Sequence, residues 1–516
     1  MRHTRSRLAL PLALPLALRL ARRLVLLPAV GACAAVSPRT APTGDAGAAA
    51  PGVVVSMLHF NDVYEITPVE GGRSGGLARV ATLRRRLLDS LPSLVTTLGG
   101  DFVSPSALGT ARVDGERLAG RQMVAVLNAL GLDWATLGNH EFDIPEAAFR
   151  ARLAESRFRY VVSNVTDSAG RPFPHVVPHA IVPVRAGNRT IRIGLLGVVL
   201  GANRVPWVRY SDPVAAARAH VAMLRDSVDA VVALTHLAIA DDQRLVEEVP
   251  GIDLVLGGHE HENYVLRRGA RLTPIVKGDA NVRTVALVSL RFGAEGAPPR
   301  VGVDLVPITD AIPDDSAVAA EVQRWLARGF AGYRELGFEP DSVVATLSVP
   351  LDGRESTVRT RAGTLSDVIL AAMRREAPDA EVAIFNGGSI RIDDVVPPGP
   401  VTQYDVIRIL PFGGKLLRAD LSGALLQRVL EVGRGNSGNG GYLHAAGARW
   451  EGERLLVAGA AVDASRFYRV VISDFLLSGG ETGLAFLTRE AEGVRDVREL
   501  RDIRMALIDE LRSAAR

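Results

Sequence analysis

The chain has little cysteine and little lysine, and it lacks any long run of charge of one sign. Cys33 is the only cysteine among 516 residues, which excludes disulfide bonds as a source of stability. Lys277 and Lys415 are the only lysines, so arginine supplies almost all of the positive charge. The arginines are dispersed and the net charge is only +3, a composition that does not indicate a nucleic-acid surface. Nucleic acid is therefore not expected as a partner.

The beginning of the chain lacks a continuous apolar run of membrane-spanning length, because proline and arginine interrupt it. Residues 24–32 have the length of a secretory-signal core, and Cys33 ends the sequence Val30-Gly-Ala-Cys33, which resembles the lipid-attachment box of bacterial lipoproteins. We predict a lipoprotein signal peptide over residues 1–33 and a flexible tether over residues 34–52. The protein is then expected in the periplasm or cell envelope, anchored to the membrane through Cys33. An ordinary cleaved signal with an incidental cysteine is the alternative.

The length of the chain favours two or three domains. Over residues 53–305 apolar strands alternate with helical patterns, which predicts an α/β domain. A connector over residues 306–341 contains one long amphipathic helix. A second α/β domain is predicted over residues 342–490, followed by a helical tail over residues 491–516. Among the individual helices, the periodicity predicts residues 115–130, 419–432 and 494–516.

Five predicted strands of the first domain end in side chains that can hold a cation. In open α/β sheets ligands bind at the carboxyl ends of the strands, so five such endings can converge on one crevice. Each fragment alone is also common in turns and tight loops, and the prediction depends on their joint pattern. The side chains in question are Asp62, Asp101, Asn139, His236, His259 and His261.

These donors are a mixed set of carboxylate, amide and imidazole groups, which suits Zn, Mn, Fe or Co. Six donors are too many for one tetrahedral ion, but they suit two divalent or mixed-valence transition metal ions that share a carboxylate, for which Asp101 is the natural candidate. Two such ions indicate ester hydrolysis with a metal-bound hydroxide as the nucleophile. His140 directly follows Asn139, and Asp143 comes three residues later, so we predict His140 and Asp143 as the catalytic dyad.

The C-terminal half carries arginines, glycines and phenylalanines in place of metal ligands. Arg391 and Arg359 can bind anionic oxygens bidentately. Phe412 and Phe475 lie near glycines and offer flat faces to a planar group. Any one of them alone is more often a surface or core residue, but together they indicate a nucleotide site. The glycine-rich residues 433–441 lack the Lys-Ser/Thr ending of a P-loop, which excludes that motif.

The ordered motifs of the first half resemble those of the calcineurin-like metallophosphoesterases. The second half resembles the C-terminal domain of the 5′-nucleotidase family in two segments, Asn386-Gly-Gly-Ser-Ile-Arg391 and Asp474-Phe-Leu-Leu-Ser-Gly-Gly-Glu481. The resemblance implies a metallophosphoesterase β-sandwich flanked by helices and joined by a connector helix to a second α/β substrate-binding domain. The motifs of the first half are Asn61-Asp62, Gly99-Gly-Asp101, Gly138-Asn-His-Glu141, Thr235-His236 and Gly258-His-Glu-His261.

The resemblance also implies two metal sites, and the chain departs from the family at one of them. The first site is expected to use Asp62, Asp101 and His261, and the second to use Asp101, Asn139, His236 and His259. Where the family usually has Asp-x-His, this chain has Asp62-Val-Tyr64. Tyr64 is either a phenolate ligand of a strongly acidic ion such as ferric iron, or a side chain that packs beside a site short of one ligand.

For the substrate, the resemblance implies nucleotide contacts from Arg359, Asn386 and Arg391, with the base held between Phe412 and Phe475. Glu481 stands where the family commonly has a ribose-binding aspartate. The expected reaction is hydrolysis of nucleoside 5′-monophosphates to nucleoside and phosphate. UDP-sugars, nucleoside di- or triphosphates and 2′,3′-cyclic nucleotides are alternative substrates, and a non-catalytic nucleotide-binding lipoprotein is the alternative of another class.

Overall fold

The structure of the protein is a computed structural model that describes residues 53–294 and 296–514. The predicted signal peptide, the tether and Cys33 lie outside the described residues. Within the described ranges, no helix combines the length and the apolarity that a membrane crossing requires.

The first half is built on a seven-stranded sheet with a buried central strand. Strand Val53–Phe60 pairs in parallel with Leu94–Leu98 and antiparallel with Thr284–Phe292. From Val55 onward all its residues are buried, as expected for an apolar strand covered on both faces. In spatial order the strands of this sheet are Arg300–Pro307, Thr284–Phe292, Val53–Phe60, Leu94–Leu98, Trp134–Ala135, Arg159–Val161 and Val176–Val177.

A second sheet of six strands packs face to face against the first. The cluster between them joins Val55 and Met57 of the first sheet to Leu195, Val232 and Leu256 of the second. The predicted β-sandwich is therefore confirmed. In spatial order the strands of the second sheet are Tyr264–Arg268, Thr273–Lys277, Leu254–Gly258, Ala230–His236, Arg189–Val199 and His179–Ala186.

Helices cover the outer faces of the sandwich. Helix Pro213–Leu224 shows how the sequence starts such an element, because the Asp212 side chain accepts the N–H of Ala215 and Pro213 occupies the first turn. The α-helices of this half are Leu77–Ser90, Arg121–Leu130, Glu146–Glu155, Pro213–Leu224 and Ile239–Glu248. Its short 3-10 turns are Glu70–Gly72, Leu108–Thr110, His140–Asp143, Arg225–Ser227 and Ala280–Val282. A small hairpin pairs Arg112–Val113 with Glu116–Arg117, and a separate two-stranded antiparallel sheet pairs Val165–Asp167 with Val208–Tyr210.

The connector is the helix Ser316–Glu335, which the Asp315 side chain caps by accepting the N–H groups of Ala317 and Val318. It packs closely on the first half. A Cβ atom added at Gly332 would lie 1.9 Å from the carbonyl oxygen of Arg112, so only glycine permits this approach.

The second half is a five-stranded sheet with helices on both faces. Helix Gly423–Gly435 packs on one face, and helices Thr364–Glu376 and Ile503–Ala514 pack on the other. The sheet order is Leu443–Ala446, Val382–Asn386, Phe467–Ser473, Lys415–Ser422 and Val494–Asp502. The remaining helical elements are Glu355–Val358, Gln403–Ile409 and the 3-10 turn Gly387–Ser389. Two pairs of strands join Val343–Leu347 to Gly399–Thr402 and Leu351–Asp352 to Val395–Val396. A three-stranded sheet consists of Ala448–Glu451, Arg454–Val457 and Ala460–Ala461.

Three predicted helices are wrong over part of their length. Residues 112–117 form a hairpin, and the helix begins only at Arg121. Residues 419–422 complete a strand, and Ser422 caps the helix that follows. Residues 494–502 of the predicted helical tail form a strand at the edge of the five-stranded sheet. In each case a strand or hairpin is followed by a helix after at most three residues, so one apolar pattern spans two elements.

A buried ion pair joins the two halves. Glu65, in the loop after the first strand, lies 3.5 Å from the guanidinium group of Arg408, and the Tyr404 hydroxyl donates to the same carboxylate at 3.5 Å. Burial raises the pKa of Glu65, and Arg408 opposes that rise. Because either charge would be unfavourable alone in this interior, the pair favours the observed arrangement of the two halves.

Lys277 is one of the two lysines, and it is fully buried. Its ammonium group donates to the carbonyl oxygens of Leu237 and Gly258 at 2.6 and 2.8 Å. It also lies 2.5 Å from the Glu260 carboxylate and 2.8 Å from that of Asp242. Leu237, Gly258 and Glu260 are neighbours in sequence of the predicted metal ligands His236, His259 and His261. Lys277 therefore stabilises the loops that carry these three histidines.

We therefore expect the two lysines to differ sharply in their contribution to stability. Lys277→Met leaves the Asp242 and Glu260 carboxylates buried without a cation, and should lower the free energy of unfolding by about 3–5 kcal/mol. The matched control is Lys415→Met, whose ammonium group is half exposed and 3.9 Å from Glu499; it should change stability by less than about 1 kcal/mol. Urea unfolding measures both. Equal midpoints for the two variants would contradict a structural role for Lys277.

Candidate active site

The predicted metal ligands converge at one edge of the sandwich, where the parallel strands end. Asp62, Asp101 and His236 place one ligand atom each within 4.8 Å of the others, and all three are buried. The backbone is strained there, since φ is 52° at Asp62, 54° at Asp101, 100° at His259 and 59° at His261. Left-handed conformations in residues other than glycine are unfavourable, and clusters of them occur at functional sites.

Each buried carboxylate divides its two oxygens between the protein backbone and the pocket. Oδ2 of Asp62 accepts the N–H of His259 at 2.8 Å and the Asn61 amide at 2.6 Å. Oδ1 of Asp101 accepts the N–H of His140 at 2.8 Å. Asp62 Oδ1 and Asp101 Oδ2 therefore face the pocket, where a cation would lie.

The donors of the second predicted site fit a cation. His236 donates from Nδ1 to the Gly99 carbonyl oxygen at 2.8 Å, which leaves Nε2 turned toward the pocket, 3.1 Å from Asp101 Oδ2. Despite that short distance, Nε2 of His236 has no properly oriented hydrogen-bond partner within residues 53–294 and 296–514. The buried Oδ1 atom of Asn139 also has no partner within these residues. Buried polar atoms without partners are unfavourable unless a ligand satisfies them. His259 completes the group, with its ring centroid 5.3 Å from that of His236.

At the first predicted site the Tyr64 hydroxyl lies among the donors. It is 2.9 Å from His261 Nε2, 3.3 Å from Asp101 Oδ2 and 3.4 Å from Asp62 Oδ1. His261 Nε2 is 3.5 Å from Asp62 Oδ1. Burial raises the pKa of Tyr64 well above its usual value, and the Asp101 and Asp62 carboxylates raise it further. A phenolate at this position therefore requires a cation beside it.

His140 and Asp143 form the predicted pair, and a residue that the sequence did not single out supports it. Nδ1 of His140 lies 2.6 Å from Asp143 Oδ2. Asn203 donates to Asp143 Oδ1 at 2.6 Å and to the carbonyl oxygen of Asn139 at 3.0 Å. Asn203 therefore fixes the aspartate relative to Asn139, a predicted metal ligand. It follows strand Arg189–Val199 in a segment without a recognisable motif, so no sequence signal marked it.

Glu141 is a second support that the sequence placed in a motif without giving it a role. Its buried carboxylate accepts the N–H groups of Asp101, Phe102 and Val103 at 2.9, 2.7 and 3.2 Å, and also that of Gly138. Burial and the nearby Asp101 charge raise the pKa of Glu141 to about 7. Glu141 thus ties two ligand-bearing loops together.

Arg391 of the second half reaches the dyad. Its Nη2 atom lies 3.1 Å from His140 Nε2, so the guanidinium group donates to that nitrogen while Nδ1–H of His140 donates to Asp143. The Arg359 guanidinium pairs with the Glu355 carboxylate, which is 3.9 Å from Arg391. The structure therefore brings both arginines that were predicted to bind anionic oxygens to the edge that carries the predicted metal ligands.

The other predicted substrate residues belong to the second half. The Asn386 amide donates to the Glu481 carboxylate at 2.8 Å, so this pair is preformed. Phe412 and Phe475 are unusually exposed for aromatic residues, at 51% and 43%. Phe412 also lines a cavity of about 610 Å³ whose other wall includes Asp143. Phe412, one of the two predicted aromatic plates, therefore borders the same cavity as Asp143.

Comparison with known proteins agrees with this geometry. The family model for the calcineurin-like phosphoesterases matches residues 55–263, and the model for the 5′-nucleotidase C-terminal domain matches residues 343–488. A snake venom 5′-nucleotidase from Naja atra is 24% identical over 495 residues, which span 83% of this chain and 90% of the venom protein.

Two solved structures share the fold. A 5′-nucleotidase precursor from Thermus thermophilus superposes with a TM-score of 0.72 at 24% identity, covering 90% of this chain and 97% of its own. The sulfate thiohydrolase SoxB from Thermus thermophilus superposes with a TM-score of 0.67 at 19% identity, covering 93% of this chain and 96% of its own. The fold is thus common to enzymes that are named for different substrates.

The sandwich, its ligand-bearing edge and the matching family model define a metallophosphoesterase, a class of phosphoric ester hydrolases. Because a 5′-nucleotidase C-terminal domain follows it in the same chain, the protein belongs to the 5′-nucleotidase family.

Proposed function

We propose that this enzyme hydrolyses nucleoside 5′-monophosphates to nucleoside and phosphate. The observation that carries the proposal is the contact between Arg391 and His140, at 3.1 Å. It joins the half that carries the predicted nucleotide contacts to the half that carries the dyad and the metal ligands. A nucleotide held by the second half would thus present its phosphate to the edge of the sandwich.

In this proposal the dyad and Arg391 act on the phosphoryl group. Asp143 accepts Nδ1–H of His140 and so fixes the tautomer that turns Nε2 toward the substrate. When a phosphate enters between them, Arg391 and a protonated Nε2 of His140 both donate to its oxygens and stabilise the charge that develops in the transition state. Asn203 keeps Asp143 in place during this step.

Two transition metal ions, divalent or of mixed valence, fit the donor set. When bound, they activate water and neutralise phosphoryl charge. Their expected ligands are Asp62, Tyr64, Asp101 and His261 for the first site and Asp101, Asn139, His236 and His259 for the second. Tyr64 is included because of its distances to the other donors. Ligand atoms that bind one cation at metal–ligand distances of about 2.0–2.2 Å lie roughly 3–3.5 Å from one another. The Tyr64 hydroxyl lies 2.9–3.4 Å from the donor atoms of Asp62, Asp101 and His261.

The nucleoside is expected to contact the second half. Phe412 and Phe475 offer exposed rings to the base, and such stacking tolerates different bases because each has a π face. Glu481, held by Asn386, can accept the ribose hydroxyls. This arrangement supports recognition of a nucleoside and leaves the preferred base open.

Larger esters are the second candidate class, because of one observation. The cavity of about 610 Å³ between Asp143 and Phe412 lies within the range of about 300–1,000 Å³ that is typical of ligand sites. Its lining includes Arg112, Arg117 and Arg121. A UDP-sugar or a nucleoside di- or triphosphate could place its additional group there. Phosphate release from a panel of AMP, ADP, ATP, a UDP-sugar and a 2′,3′-cyclic nucleotide distinguishes these substrates.

Export and lipid anchoring at Cys33 stay predictions from the sequence.

The first test concerns the dyad. His140→Ala removes the donor to the phosphoryl group and should lower phosphate release from AMP by about 10²–10⁴-fold, the usual contribution of general acid–base catalysis. Bound metal, measured by elemental analysis, should stay near the wild-type content because the imidazole of His140 is not an expected ligand. His220→Ala, on helix Pro213–Leu224, is the matched control and should keep full activity. Unchanged turnover of His140→Ala would refute the assigned role.

The second test concerns Tyr64 as a ligand. Tyr64→Phe removes one donor from the first site and should lower bound cation from about two toward about one per chain, whereas Tyr64→His should keep about two. Tyr210→Phe is the control, since its buried hydroxyl has no partner in the described part of the chain. Elemental analysis and calorimetric titration with Mn²⁺ measure the content. Identical binding by Tyr64→Phe and wild type would show that Tyr64 only packs beside the site.

The third test concerns the base. Replacing both Phe412 and Phe475 by alanine should raise KM for AMP by about 5- to 100-fold, because each stacked base is worth about 1–3 kcal/mol. KM for a small aryl phosphate, which carries no nucleoside, should change far less. Equal effects on the two substrates in steady-state assays would rule out the aromatic clamp.

A further inference from the structure

The loop of residues 391–394 in the second half contacts the catalytic edge at two points. Arg391 donates to the dyad imidazole, and Asp393 contacts His261, an expected ligand of the first cation site. The loop is held from behind, because the N–H of Arg391 donates to the Ile409 carbonyl oxygen at 3.0 Å and the Ile392 side chain is buried. A fixed segment of one half thus lies against the metal-binding loops of the other.

The contact with His261 uses the ring nitrogen that faces away from the cation site. Nδ1 of His261 lies 2.6 Å from Asp393 Oδ2, while Nε2 lies 2.9 Å from the Tyr64 hydroxyl and 3.5 Å from Asp62 Oδ1. A hydrogen bond from Nδ1–H to Asp393 fixes the tautomer and turns the lone pair of Nε2 toward the other donors. Carboxylates that accept a hydrogen bond from a ligating histidine in this way orient the ring and increase its basicity.

Asp393 is itself held in position. Its Oδ1 atom accepts the N–H of Glu355 at 2.8 Å, and its side chain is only 12% exposed. His261, Glu355 and Asp393 place donor atoms within 4.8 Å of one another. Because the oxygens of Asp393 and Nδ1 of His261 already bond each other or the backbone, this group extends the first cation site and is not a separate one.

We propose that Asp393 is a positioning residue of the second half that makes cation binding at the first site depend on contact between the two halves. His261 is oriented for the cation only while the loop of residues 391–394 lies against it. Coupling between two binding events is reciprocal, so the cation in turn stabilises that contact. The inference rests on the proposed two-cation site and adds to it a partner from the other half of the chain.

The experiment compares two neighbouring substitutions in the full chain. Asp393→Asn weakens the acceptor for His261. Asp394→Asn is the matched control. Asp394 is buried and also contacts the first half, because its side chain accepts the N–H of Glu70 at 3.1 Å. It does not contact a predicted metal ligand. Apo protein is titrated with Mn²⁺ by calorimetry. One of the two dissociation constants should rise by about 10–100-fold in Asp393→Asn, with the other unchanged. Both constants should keep their wild-type values in Asp394→Asn.

A second measurement separates positioning from loss of packing. Hydrogen exchange of residues 391–394 should slow when Mn²⁺ is added to wild type, and this slowing should be lost in Asp393→Asn while melting temperature changes little. The inference is overturned if Asp393→Asn binds both cations as tightly as wild type, or if both variants weaken binding equally. Failure of wild type to bind any Mn²⁺, Zn²⁺ or Co²⁺ would instead overturn the two-cation function, and this inference with it.

Discussion

Two carboxylates buried side by side, Asp62 and Asp101, impose the constraint on which the rest of the site depends. Burial and the charge of Asp101 raise the pKa of the Asp62 carboxyl, but His261 and His236 hold it below its usual value. Burial also raises the pKa of Asp101, and here His236 and His140 reverse the effect. Since an uncompensated buried ion is unfavourable by several kcal/mol, the fold must bring backbone N–H groups and imidazoles to these two residues.

The sandwich meets this constraint through its parallel strands, whose carboxyl ends lie at one edge. The second half contributes two contacts to this edge, one from Arg391 to His140 and one from Asp393 to His261. The buried pair of Glu65 and Arg408 favours the arrangement in which both contacts form. The candidate site thus lies on the first half and is completed by contacts from the second half.

Much of this architecture follows from local sequence. Apolar strands followed by acids and histidines predicted an α/β domain and the side chains at its strand ends, because strand period and strand ends are local properties. The sandwich arrangement of the two sheets was implied only by the family resemblance. The contacts of Asn203, Glu141 and Asp393 could not be predicted, since they depend on loops that meet only after the sheets have formed. The position of the Tyr64 hydroxyl could not be predicted either, because the sequence defines the length of that side chain but not its direction. Where one apolar pattern spans a strand and a helix, as at residues 419–432, the boundary depends on the Ser422 cap and on pairing with residues 494–502.

The burial of Lys277 has a practical consequence for chemical modification. Amine-directed acylating reagents meet a single accessible lysine side chain, that of Lys415, because Lys277 is enclosed by the protein. Lys415 begins the strand that follows the Leu410-Pro-Phe412 turn, close in sequence to one of the exposed rings. A fluorophore attached there would lie at a defined point of the second half, without the introduction of a cysteine.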